Sequence, residues 1–490
     1  MARCSMSMEA GLQDRLYREP QKAAAGIVHL GLGAFFRAHG AVYIAEAMAK
    51  SGGDWGIVGV SLQSPGTRDK LKPQGWAYTA LELAPEGEKP QVVTVLHDDL
   101  VAPENPQAVL DAMAAPGVKI VSLTVTEKGY CHEPSTGRLN RAHPDIAHDL
   151  ENPSPKSAPG FLVRALQARR AAGLQPFTVL CCDNLPENGR VVRGVVLELA
   201  GLIDPALAGW IEAEGAFPAT MVDRIVPATT AADLDRLAAA CGYRDEAPVM
   251  HEPFRQWVIE DDFVDAARPD LGAVGAQLVG DVTPFEHMKL RMLNGTHSSL
   301  AYLGYLAGYE TIADTVADPA FSDFVRGLWR DEIIPALTPP PGVDLGGYAD
   351  ALHARYANPR VRHRTWQIAM DGSQKLPQRI LGTITEARAA GRKVPGLTLA
   401  VAAWMRYVSG QDENGEPIEV KDPLAQRLAA LWQDEPGATV AGFLALAEVF
   451  PPALRDDPGF AADLSAALTA LVRDGAQASV RSASVKSASI

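Results

Sequence analysis

Apolar residues in the first half of the chain come in short runs separated by longer stretches of helical period. Gly26-Ile-Val-His-Leu-Gly31, Trp55–Leu62, Val93–Leu96, Ile120–Val125 and Phe177–Cys182 each read as a strand, while 34–50 and 160–172 carry the three-to-four-residue spacing of a helix. Strands alternating with helices predict a parallel sheet covered on both faces. Beyond about Pro284 the strand-like runs cease. Helical patterns mark 288–307, 319–334, 347–356, 364–370, 398–409, 423–432 and 438–450, and Pro- and Gly-bearing loops such as Thr338-Pro-Pro-Pro-Gly342 separate them. The expectation is therefore an α/β domain over 1–284, with a Rossmann-type doubly wound sheet, and an all-α domain over 285–477. The small polar residues of 478–490 offer little to bury and are expected to be disordered.

Composition narrows the function classes. At 490 residues, 47% hydrophobic and 21% charged, the chain has the make-up of a globular protein large enough for two or three cores. A net charge of −14, with no basic run interleaved with aromatics, argues against nucleic acid as a partner. Five cysteines without CxxC spacing make disulfide scaffolding and structural zinc poor readings. No signal-peptide core and no apolar run of about 18 residues is present, so a cytoplasmic protein without a membrane partner is expected. A monomer or weak oligomer acting on a small molecule fits this picture.

Gly31-Leu32-Gly33 stands where the first strand hands over to a helix. Glycines there permit a tight turn and close approach of backbone N–H groups to a pyrophosphate at the helix start. The third glycine of the usual fingerprint is absent; position 36 is Phe. Phe35 and Arg37 follow, and Arg37 is open to two readings, a phosphate contact or a helix-surface residue. No carboxylate follows the second strand directly, and Arg68 leaves NADP open beside NAD.

The densest chemistry is Lys289-Leu-Arg-Met-Leu-Asn294-Gly-Thr-His297, an amine, a carboxamide and an imidazole in an apolar segment. At roughly 100° per residue, His297 lies ~80° and Asn294 ~140° around an α-helix from Lys289, whereas Arg291 lies ~200° away. A desolvated lysine trades a proton near neutral pH; a snorkelling lysine is the plainer alternative. Asn184 and Asn188 follow the strand ending at Cys182, where open α/β sheets bind ligands, and an Asx turn explains Asn188 equally well. Lys128, the pair Asp223-Arg224, and Lys375 of Asp371-Gly-Ser-Gln-Lys375 are each either pocket groups or ordinary loop and core residues. No His-Cys-Asp-Glu cluster has metal-ligand spacing, so no metal site is expected.

Gly31-Leu-Gly-Ala-Phe-Phe-Arg-Ala-His39, Thr126-Glu-Lys-Gly-Tyr-Cys131, Cys182-Asp-Asn-Leu-Pro-Glu-Asn-Gly189, Met221–Pro227 and Lys289–His297 together resemble the long-chain mannitol dehydrogenase family, in order along nearly the whole chain. Glu252–Asp261, Lys289–Asn294, Arg362–Arg379 and the Lys of Thr-Glu-Lys-Gly-Tyr-Cys look most like its fructuronate reductase (D-mannonate oxidoreductase) branch. The resemblance implies a zinc-independent NAD oxidoreductase that interconverts D-fructuronate and D-mannonate. By the same resemblance Lys289 is the general acid/base, Asn184 and Asn294 stabilise the alkoxide-like oxygen, and His297 contacts substrate. Asp223 and Lys375 fall where the family binds substrate hydroxyls, and Lys128 and Arg364 rank above Arg291 as partners for a substrate carboxylate. Two departures stand out: Gln367 replaces an arginine of some mannitol enzymes, and Phe36 replaces a usual His. A mannitol or arabinitol dehydrogenase of the same family, and a non-catalytic NAD-binding sensor, are the rival readings.

Overall fold

The computed structural model describes residues 14–19, 23–133 and 136–487. They form two compact units that divide between Val282 and Thr283.

The first unit is built on five parallel strands, β1 (Ala25–Leu30), β2 (Gly56–Ser61), β3 (Leu96–Val101), β4 (Ile120–Leu123) and β5 (Thr178–Cys181). Their spatial order is β3-β2-β1-β4-β5, a Rossmann-type arrangement that reverses direction between β1 and β4. Burial on both faces explains why these strands read as continuous apolar runs: β4 and β5 are buried at every position. Helices 106–114, 158–171 and 188–203 pack a core of Val, Leu and Phe residues against one side of the sheet, and helix Gly40–Ser51 belongs to a second core. A short mixed sheet follows, in which Gln256–Glu260 pairs parallel with Gln277–Val279 and antiparallel with β6 (Thr220–Asp223).

Two sequence expectations need correction here. Val93–Leu96 is not a strand but the corner between the hairpin strand Gly87–Val93 and β3; its apolar residues fill the corner. The helix expected over 34–50 is two helices, Ala34–Ala38 and Gly40–Ser51, broken at His39 (φ −125°, ψ −85°). Arg224 accounts for the break. Its guanidinium donates to the Ala38 carbonyl at 2.7 Å and to that of Glu252 at 3.1 Å, satisfying the carbonyl that the interrupted helix leaves over.

The second unit is helical throughout, around a core that includes Leu300, Tyr302, Trp329, Leu352, Leu381, Trp404 and Phe443. Three of its helices widen into π turns, at Lys289–Gly295, Leu328–Ile333 and Pro377–Leu381. Such turns shift hydrogen bonding from i→i+4 to i→i+5 and are frequent at functional sites. Around the first, side chains take up the displaced carbonyls. The Trp329 indole N–H donates to Met292 O (2.8 Å), the Tyr356 hydroxyl to Leu293 O (2.8 Å), and the Thr296 hydroxyl to Met292 O (2.6 Å).

The tail expectation also fails over 478–487. The last helix runs from Pro458 to Ser487, with a kink at Gly475 (φ 80°). After the kink Glu413 accepts the Ala476 N–H at 2.6 Å, Ala476 and Val480 are fully buried one turn apart, and the Ser484 hydroxyl donates to Ala320 O at 3.0 Å. Ser484 also donates to Val480 O at 3.0 Å, and Ala476, Val480 and Ser484, spaced every fourth residue, are small enough or apolar enough to pack. Residues 488–490 lie outside the described residues.

Candidate active site

In the first unit the expected cofactor turn leaves β1 at the point where the strand order reverses, the usual ligand-binding position of an open α/β sheet. Gly31 has φ +90°, and a Cβ there would collide with Thr124 O at 2.2 Å, so only glycine passes beside β4. Gly33 starts the first helix, and a Cβ placed on it meets nothing nearer than Gly31 O at 3.8 Å. The turn is thus closed towards the sheet and open on its other side, as close approach by a ligand requires. Leu32 sends its side chain into the core over Gly59, leaving only backbone for a ligand, and the half-buried Phe35 stacks on His39 at 5.1 Å. Arg37 does not fit a phosphate contact. Its buried guanidinium donates to Ala247 O at 2.5 Å and lies over the Tyr78 ring, and burial lowers its pKa. Phe36 is a core residue stacked on His29 at 3.3 Å, which leaves no room at that position for an exposed imidazole. Arg68, considered for a 2′-phosphate, is engaged by Asp69 (2.9 Å) and by Glu104.

The next two strand ends are tied together. Asp183, just after β5, accepts the Val125 N–H at 2.8 Å, the Thr126 N–H at 3.3 Å and the Tyr130 hydroxyl at 2.6 Å. Thr126 has φ 65° and ψ 164°, a conformation that side-chain-bearing residues avoid, and the carboxylate holds it there. This clamp fixes exposed Lys128, in the turn Glu127–Tyr130, and exposed Asn184 on the same edge of the sheet. Burial raises the pKa of Asp183, opposed by the three hydrogen bonds it receives. Asn188 is structural, though not through the expected Asx turn. Its buried amide donates to Asp183 O (3.0 Å) and Thr220 O (2.9 Å) and accepts the Thr220 N–H, joining β5 to β6. Asp223 is buried at the end of β6, near enough to His39 to act on its charge.

In the second unit Lys289, only 6% exposed, opens the first π turn. The i→i+5 period alters the α-helical reading: Lys289 and Asn294 are five residues apart and so lie one above the other instead of ~140° apart. Gly295 lets this turn press against the third, since a Cβ there would meet Arg379 O at 2.6 Å. Arg291 is turned away, as expected, in a two-pronged ion pair with Glu386 (2.5 and 2.7 Å). His297 is 7% exposed, stacked on Tyr356 at 5.3 Å and met edge-on by His363 at 4.7 Å. Burial first, then the charges of Arg379, Arg355 and Lys375 and the neighbouring His363, hold His297 well below the usual imidazole pKa. It is a neutral ring in a positive surrounding. Lys375 donates to Met370 O at 2.5 Å. Arg364 is not among these groups: it is 59% exposed and faces Glu310 at 3.6 Å.

Asp183, His363, Arg355 and Arg379 are thus site residues to which sequence reasoning gave no role. His363 and Arg379 fall within the stretch Arg362–Arg379, where only the resemblance and no spacing singled them out, and Arg355 lies on the preceding helix outside it. Asp183 sat inside a quoted motif, but its partners 57 and 58 residues away leave no trace in spacing. Among the described residues no group of three or more His, Cys, Asp or Glu side chains is arranged to hold a metal ion, and no helix is long and apolar enough to cross a membrane.

Comparison with known proteins places this architecture. The family model of the mannitol dehydrogenase Rossmann domain matches residues 25–273, and that of the mannitol dehydrogenase C-terminal domain matches 281–472. The chain belongs to the mannitol dehydrogenase family. Among members of the family, the D-mannonate oxidoreductase of Escherichia coli (strain K12) is 48% identical over 92% of this chain and 94% of its own length. A mannitol 2-dehydrogenase of Aspergillus fumigatus is 41% identical over 94% of this chain and 93% of its own. The structure of Pseudomonas fluorescens mannitol 2-dehydrogenase, a ternary complex with NAD and D-mannitol, superposes with a TM-score of 0.86 at 40% identity, covering 94% of each chain.

Proposed function

We propose that this member of the mannitol dehydrogenase family is an NAD-dependent, zinc-independent oxidoreductase that reduces D-fructuronate to D-mannonate, with Lys289 as the general acid. The observation that carries the reading is the positive surrounding of neutral His297, to which Arg355, Arg379 and Lys375 contribute, because it suits a sugar acid better than an uncharged polyol. The relative at 48% identity, a D-mannonate oxidoreductase, points the same way.

The first unit suits NAD. The turn at Gly31 and Gly33 is open on one side, and the neutralised Arg68 offers little to a 2′-phosphate. Bound NADH supplies the hydride. The chain's own residues do the rest. Lys289 Nζ gives its proton to the carbonyl oxygen, which becomes the new hydroxyl, and recovers it from solvent afterwards. The amides of Asn184 and Asn294 donate hydrogen bonds to that oxygen as charge builds, an effect worth roughly 3 kcal/mol per donor in comparable sites. His297, neutral, offers Nε2 to a substrate hydroxyl. Asp223 and Lys375 orient other hydroxyls, and Lys128 is the first-unit cation for the carboxylate.

A second reading is favoured by the mannitol 2-dehydrogenases at 40% and 41% identity: reduction of an uncharged ketose to a polyol. Following NADH absorbance with D-fructuronate and D-fructose in parallel separates the two. A kcat/KM for D-fructuronate at least tenfold above that for D-fructose supports the first reading; the reverse order overturns it.

A further inference from the structure

His363 lies in the loop between helices Leu345–Tyr356 and Thr365–Ala369, and the mechanism above leaves it without a task. Its ring meets that of His297 edge-on, with centroids 4.7 Å apart and planes at 65°, while Tyr356 stacks on His297 at 5.3 Å. His297 is therefore clasped between an aromatic ring and a second imidazole. Two enclosed nitrogens, His297 Nε2 and His363 Nδ1, have no hydrogen-bond partner within the protein. Such atoms are uncommon in folded proteins, and a pair of them on touching rings marks a place where a ligand supplies the missing partners.

The loop holds His363 in place without any ligand. Its carbonyl accepts the Ile312 N–H at 3.0 Å, Arg364 bridges to Thr311, and the Thr365 N–H donates to Glu310 O at 3.0 Å. Burial is the main cause lowering the pKa of His363, to about 4, and the charge of Lys375 adds to it. Both rings are neutral at physiological pH, so each carries one N–H donor and one lone-pair acceptor. Two such rings side by side match neighbouring oxygens on a sugar chain, since a hydroxyl both donates and accepts.

We propose that His363 is a second substrate-binding imidazole, gripping with His297 two adjacent oxygens of the open-chain sugar. The proposal rests on the functional reading above and adds a specificity-determining residue to it.

The test uses His363→Phe, which keeps the edge contact with His297 and removes both nitrogens, alongside His363→Gln, which restores a donor and an acceptor. With the better of D-fructuronate and D-fructose, the Phe variant is expected to raise KM at least tenfold, with kcat within threefold and NADH affinity unchanged; the Gln variant recovers part of the loss. An unchanged KM in the Phe variant overturns the proposal. Calorimetry on the NAD-loaded wild type, with D-mannonate and with D-mannitol, separates the two levels of inference. Binding of D-mannitol alone sinks the sugar-acid reading, yet supports His363 if the Phe variant weakens that binding. Equal binding by wild type and Phe variant sinks His363 alone, and binding of neither compound sinks both. Should the Phe variant not fold, the imidazole ¹⁵N resonances of His363 in the NAD-loaded wild type decide: a shift on adding either compound is expected, and its absence while His297 shifts overturns the proposal.

Discussion

The carboxylate of Asp183 receives the hydroxyl of Tyr130 at 2.6 Å, and through this bond and two backbone ones it fastens the turn after β4 to the turn after β5. Removing it in Asp183→Ala leaves three donors unpaired and frees strained Thr126, at a cost on the order of 2–4 kcal/mol. The expected outcome is a lower urea midpoint and a kcat/KM reduced at least tenfold, with Asp183→Asn intermediate. A variant as stable and active as the parent would show the two turns to be held by other means.

Lys289→Ala is expected to lower kcat by about 10²–10⁴, the range of a lost general acid, while leaving NADH binding within twofold. Rapid-mixing kinetics and a fluorescence titration of NADH measure the two quantities separately. Retention of activity within tenfold would remove the lysine from the mechanism.

Cofactor choice turns on Arg68. With Asp69 and Glu104 beside it the chain should prefer NADH to NADPH by at least tenfold in kcat/KM. The double substitution Asp69→Ala, Glu104→Ala releases the guanidinium and should lower the KM for NADPH. No gain with NADPH would mean that Arg68 lies away from the ribose.

Glu332 gives a pH prediction with a definite sign. It is buried in the second π turn and accepts the N–H groups of Gly396 and Leu397, each at 2.8 Å, and burial pushes its pKa up to about 7. A carboxyl whose pKa is raised on folding binds more protons folded than unfolded, so its contribution falls as pH rises from about 4.5 towards 7 and is flat beyond. The loss is on the order of 3 kcal/mol. Urea unfolding at pH 5 and pH 8 should show this slope in the parent and a smaller one in Glu332→Gln.

Much of the architecture was legible because burial on both faces writes itself into composition: β4 and β5 are apolar at nearly every position, and the runs at Ile120 and Phe177 could hardly be missed. The corner at Val93–Leu96 and the helix beyond 478 were misread for one reason. Local pattern reports whether a segment can pack, not whether a neighbour arrives to pack on it. Lys289, Asn294 and His297 stood together in sequence. His363, Arg355 and Arg379 did not, because their meeting depends on how three helical pieces fold back on one another. Arg37 and Arg364 show the converse: a cation at a suggestive position was spent on Ala247 O in one case and faced Glu310 in the other.

The widened turn at Lys289 has a consequence for how this segment tolerates change in length. It amounts to one extra residue held within a helix by Trp329, Tyr356 and Thr296. Deleting one residue between Leu290 and Leu293 would let the segment relax to ordinary pitch, keeping its helicity and its apolar composition. The lysine would then swing by roughly 100° relative to everything downstream. A chain so shortened would remain folded with its amine out of phase with its amide, so the chemistry here depends on a tally of residues as much as on their kinds.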